Sequence, residues 1–100
     1  MVIHHVFFWL HEANAANLQK LLNGLKTLKS IKTVRRIHIG VPASTESRDV
    51  VDHSYSASEL LFFDDYEGQL AYQTDPVHKK FIEDCGQLWK KVIVYDSIDV

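Results

Sequence analysis

Two side chains near the end of the chain have the types and spacing for proton transfer: Tyr72 and His78, in Tyr72-Gln73-Thr74-Asp75-Pro76-Val77-His78-Lys79-Lys80-Phe81. Asp75-Pro76 reads as a helix start, because an Asp side chain accepts from free backbone N–H groups and proline suits the first helical position. His78 then falls in the first turn, where the helix dipole disfavours imidazolium and favours the neutral ring. Apolar residues recur with helical spacing at Phe81, Ile82, Cys85, Leu88 and Trp89, and His78 sits at the edge of that face. Tyr72 closes the preceding segment and can approach the same spot. A neutral imidazole beside a phenol is an acid–base pair; a histidine near a helix cap that only packs is the other reading of the same residues.

These residues need elements to position them. Val2–Leu10 is rich in β-branched and aromatic residues and reads as a strand, alternating Val2, His4, Val6, Phe8, Leu10 against Ile3, His5, Phe7, Trp9. Both sets are largely apolar, so both faces need cover: helices on one side and a second copy of the sheet on the other. A helix starts at Asn14 or Ala15, with Leu18, Leu21, Leu22, Leu25 and Leu28 on one stripe. Thr33–Val41 is a second strand, Ala43–Asp52 a polar connection, and Ser54–Phe63 a third strand. That third strand sets Ser54, Ser56, Ser58 against Tyr55, Ala57, Glu59, Leu61, Phe63. A short helix over Tyr66–Tyr72 leads into a longer one over Asp75–Trp89, which Lys90 and Lys91 close with the favoured charge. Lys91–Ser97 is the last strand. The order β-α-β-β-α-β is α+β and ferredoxin-like, an antiparallel sheet with helices on one face. The uncovered face predicts a homodimer built sheet to sheet.

Composition narrows the classes. One hundred residues, 46% hydrophobic and 24% charged, fit one soluble domain that association would help to stabilise. A net charge of −2 with interspersed signs leaves no footprint for nucleic acid. The single cysteine, Cys85, excludes an internal disulfide and fits a reducing compartment. No signal peptide is legible, and no run approaches the roughly 20 apolar residues of a membrane span, so the expected location is cytoplasmic with no membrane partner. His4 and His5 point to opposite strand faces, and His38 and His53 have no structural-zinc spacing, so no side-chain metal site is expected. Phosphate-loop, nucleophile-elbow and Walker patterns are missing, so the expected cofactor list is none.

The His5-led hydrophobic run HVFFWL, Gly40 closing the second strand, and the stretch Phe62-Phe63-Asp64-Asp65-Tyr66 through Phe81 together resemble the stress-responsive A/B barrel domain (Dabb) family. The most specific part is Tyr-x-x-x-Pro-x-His-x-x-Phe, met here by Tyr72, Pro76, His78 and Phe81. The resemblance covers essentially the whole chain and implies a homodimeric α/β barrel. A plant branch of that family contains a polyketide cyclase that uses a histidine and a tyrosine in an intramolecular aldol condensation. The resemblance therefore implies His78 and Tyr72 as the catalytic pair, with His5 as a third pocket position and Phe7, Phe81 and Trp89 as apolar lining. Trp9 stands where smaller aliphatics are usual, which implies a narrower pocket that excludes a long alkyl chain. Some relatives hold a cation through backbone carbonyls after the first helix, here around Leu28–Val34. The resulting expectation is cofactor-free acid–base chemistry on a small keto or polyketide-like ligand. Two other readings stand beside it, a non-catalytic stress or ligand-binding module and a relative of the cofactor-free monooxygenases.

Overall fold

The computed structural model describes residues 1–100. Strand β1 (Val2–Leu10) alternates as its sequence demands: Val2, His4, Val6, Phe8 and Leu10 are buried, while Ile3, His5, Phe7 and Trp9 are half-buried. With β2 (Arg36–Gly40), β3 (Ala57–Phe63) and β4 (Trp89–Ile98) it forms an antiparallel sheet of order β2-β3-β1-β4. Helices α1 (Ala15–Thr27), α2 (Tyr66–Thr74) and α3 (Pro76–Cys85) complete the ferredoxin-like α+β arrangement.

Each helix starts where a short polar side chain can take an otherwise unpaired N–H. Asn14 accepts from Asn17 N, Asp65 from Gly68 N and Asp75 from Val77 N, each at 2.8 Å. Pro76 occupies the first position of α3, and because it cannot continue α2 it forces the bend between the two helices. The leucine stripe of α1 delivers Leu21 and Leu25 to the core, and Leu28, in the 3-10 turn Leu28–Ser30 that follows α1, joins them; all three have no accessible surface. Each such side chain stabilises the fold by about 1.5–3 kcal/mol.

Several boundaries differ from the sequence expectation. β2 begins at Arg36 instead of Thr33, because Val34 N donates to Ile31 O in a turn that ends only there. β3 begins at Ala57 instead of Ser54. Ser56 Oγ accepts from Leu10 N at 3.1 Å, so a side chain takes over the bond that a strand backbone would have made. The last helix stops at Cys85, one 3-10 turn follows over Gly86–Leu88, and Trp89 opens β4. Lys90 and Lys91 are therefore strand residues, not a helix end.

Gly24 sets how closely α1 meets α3. A Cβ built there would lie 2.6 Å from Cys85 Sγ and 3.0 Å from the Phe81 ring. Cys85 is 2% exposed and serves as a small core residue. Gly24→Ala gains up to about 1 kcal/mol of helix propensity but meets an overpacking cost of about 1–3 kcal/mol. Denaturant unfolding should show Gly24→Ala destabilising the wild-type chain, and by less a Cys85→Ala chain in which only the Phe81 contact remains. A stability gain in both backgrounds would contradict the close approach.

Candidate active site

The Asp75-Pro76 bend folds the end of α2 back onto the start of α3. It brings the Tyr72 and His78 rings to 4.6 Å between centroids. Tyr72 is 1% exposed, with Phe63 at 5.2 Å and His4 at 5.8 Å on the same ring. His78 Nδ1 lies 3.2 Å from the carbonyl oxygen of Gln73. A carbonyl only accepts, so Nδ1 carries a hydrogen, and in the neutral ring Nε2 holds the free lone pair. Burial lowers the His78 pKa below its ordinary value against the opposing Gln73 contact, and the nearby His4 adds to the lowering. At neutral pH His78 is therefore an unprotonated base.

Three further titratable groups converge on this spot. Glu59, on β3, is buried with its Oε1 3.4 Å from the Tyr72 hydroxyl and its Oε2 without a partner. Burial pushes its pKa up to about 8, so it is a carboxylic acid at pH 7. The same burial, and Glu59 beside it, raise the Tyr72 pKa and keep it a phenol. His4 is 7% exposed, and its Nδ1–H donates to Asp96 Oδ1 at 2.6 Å. The Gln69 amide donates to the other carboxylate oxygen at 3.5 Å. The signal for these residues lies in the strand alternation. His4 shares a face with Val6 and Phe8, and Glu59 shares one with Ala57 and Leu61, so both are polar residues on core-facing sets.

The structure brings Tyr72, His78, Phe81 and Trp89 together. Phe81 is 6.4 Å from His78 and 5.7 Å from Trp89, and Phe8 joins them at 4.9 Å from Trp89. It does not bring His5, Phe7 or Trp9 there. These are the odd-numbered residues of β1, one step out of phase with the helix-facing set, so they project from the opposite side of the sheet. On that side His5 packs on Phe7 at 4.3 Å, and Phe7 meets Tyr55 and Tyr95. Lys91 Nζ lies 4.5 Å over the Trp9 ring, whose Nε1–H donates to Ser54 Oγ. The β1 histidine beside Tyr72 is His4, which corrects the expectation for His5.

Hollows lie on both sides of the sheet. One of about 610 Å³ runs between α1 and α3 and includes Gly24, Val77, Phe81 and Cys85 in its wall. A smaller one of about 190 Å³ lies on the opposite sheet face against Phe7, Trp9, Tyr55, Ile93 and Tyr95. Neither includes Tyr72 or His78 in its wall.

The buried Glu59 carboxyl makes stability depend on pH. Between its ordinary pKa of 4.5 and its folded value of about 8, the unfolded chain releases the proton that the folded chain keeps. Its contribution therefore falls as pH rises through that window, by about 1.4 kcal/mol per pH unit, and levels off above it. The difference in unfolding free energy between wild type and Glu59→Gln isolates this slope. A difference that stays flat from pH 5 to 8 would contradict a buried, neutral Glu59.

The sequence matches the model of the Stress responsive A/B Barrel Domain over residues 2–99. No curated protein matches it closely. Among solved structures, an Arabidopsis thaliana protein superposes with a TM-score of 0.81 at 19% identity, covering 100% of this chain and 96% of that one. A dimeric ferredoxin-like protein of unknown function from Thermobifida fusca superposes with a TM-score of 0.79 at 14% identity, covering 96% and 88%. The hydroxynitrile lyase of Passiflora edulis gives a TM-score of 0.79 at 16% identity over 99% and 93%. At these identities the likeness is one of fold. The domain match spans nearly every residue: the chain belongs to the stress-responsive A/B barrel domain family.

Proposed function

We propose that the helix-side cluster binds a small carbonyl compound and moves a proton next to its carbonyl, without a cofactor. The observation that carries this reading is the contact of His78 Nδ1 with the Gln73 carbonyl, which leaves Nε2 the free lone pair, together with the packing of the ring against the buried Tyr72 phenol. His78 Nε2 takes the proton from the carbon α to the carbonyl, and the C–H electron pair moves onto the carbonyl oxygen as an enolate. Tyr72 O–H donates to that oxygen in a water-poor setting, where such a bond counts most. The imidazolium then returns its proton to the substrate. In a keto compound with a second carbonyl, the enolate carbon attacks that carbonyl instead, and the proton goes to the new alkoxide. The hollow between α1 and α3 adjoins the cluster through Phe81, so a ligand seated there would have to displace Phe81 to reach His78. A structural neighbour named as a hydroxynitrile lyase supports the same fold as a host for lyase chemistry.

The close packing of Tyr72 favours a second reading, a ligand-binding or structural module that carries out no turnover. Deuterium incorporation into a panel of small mono- and diketones in D₂O separates the two. The acid–base reading expects exchange above the buffer rate, lowered about 10²–10⁴-fold in His78→Ala. Exchange that never exceeds the buffer rate leaves the module.

The functional unit in this proposal is a homodimer joined through the open sheet face. His5, Phe7, Trp9, Leu60, Phe62, Ile93 and Tyr95 share that face by strand register, and the Thermobifida fusca neighbour is dimeric. Sedimentation at micromolar concentration should give a dimer, and Phe7→Glu a monomer. A wild-type monomer, or a Phe7→Glu dimer as tight as wild type, contradicts this interface.

A further inference from the structure

The acid–base reading needs the Tyr72 proton to reach the substrate oxygen, yet the Tyr72 hydroxyl has its one contact with Glu59. A phenol has a single proton. If it points at a carboxylate, it is not available to an enolate.

The surroundings of Glu59 decide which way this bond runs. Its register partners are Val6 on β1 and Ile39 on β2, both apolar. Tyr72, from α2, is its only polar partner, and the other titratable groups at the spot, His4 from β1 and His78 from α3, pack against the Tyr72 ring. No cation faces the carboxyl, and Oε2 is bare. An ionised carboxylate there would hold a charge against apolar neighbours with one oxygen unsolvated. A neutral acid leaves only a carbonyl oxygen bare, which costs far less. The raised pKa of Glu59 agrees with the neutral form.

We propose that Glu59 is a positioning residue for Tyr72: its protonated carboxyl donates to the Tyr72 oxygen and so frees the phenol proton for the oxygen of a carbonyl ligand. When Glu59 ionises, the bond reverses, the Tyr72 proton turns to the carboxylate, and the ligand loses its donor. No covalent bond changes; one proton leaves Glu59 to solvent and one hydroxyl rotates. The inference rests on the acid–base reading for its ligand, but not for the reversal itself.

Carbon NMR on protein labelled at Glu Cδ and Tyr Cζ tests the reversal without any ligand. The Glu59 carboxyl should titrate near 8, the Tyr72 Cζ signal should move with the same midpoint, and Glu59→Gln should hold the Tyr72 signal still. A Glu59 carboxyl titrating in the ordinary carboxylate range, or a Tyr72 signal indifferent to it, overturns the proposal. Pentane-2,4-dione then serves as the ligand probe. Its affinity for the wild type should fall about tenfold between pH 7 and 9.5, the value of one lost hydrogen bond. Glu59→Gln, whose amide donates at every pH, should show no such fall beyond the probe's own ionisation. Equal pH dependence in the two proteins overturns the positioning role. Failure of the probe and of other small ketones to bind at any pH removes the acid–base reading instead, and leaves the NMR result to decide the direction of the Tyr72–Glu59 bond.

Discussion

A carboxyl group buried against a phenol is the constraint on which the helix-side interior turns. Glu59 stands on the core face of β3 with one oxygen near Tyr72 and the other bare. Such a group is costly to bury, and a leucine on the same strand would pack without that cost. Burial, with Glu59 adding to it, holds Tyr72 as a phenol, and the carboxyl is a titratable partner beside the ring that His4 and His78 flank. Phe63, Phe81, Trp89 and the leucines of α1 help to exclude water around Glu59, Tyr72 and His78, whose pKa values burial displaces.

Charge and hydrogen bonding sort the members into different roles. His78 is a neutral base because burial outweighs its favourable contacts, and its tautomer follows from the Gln73 carbonyl. His4, on the interior strand β1, is oriented by Asp96 of the edge strand β4, beside Gln69. Glu59 is an acid in the range where His78 is a base, which is the separation of pKa values that proton transfer requires.

Much of this was legible in the sequence. The Asp75-Pro76 helix start, the Tyr72–His78 proximity and the leucine stripe of α1 follow from local rules of capping, proline geometry and periodicity, and these positions met them. What local rules could not settle was phase. In a strand a one-residue step moves a side chain through the sheet, and the adjacent pair His4–His5 has the same residue on both faces. Resemblance pointed to His5, whereas the fold put His4 beside Tyr72. Phe7 and Trp9 went to the open face for the same reason. Glu59 sat in plain view on an apolar alternating set, and its meaning emerged only when Tyr72 arrived from a helix distant in the sequence.

The chemistry of the site turns on His78 being a neutral base with its lone pair on Nε2. A long-range proton–nitrogen correlation spectrum of the imidazole at pH 7 reads this directly. Nδ1 should be protonated and Nε2 unprotonated. An imidazolium, or a neutral ring with its hydrogen on Nε2, would contradict it.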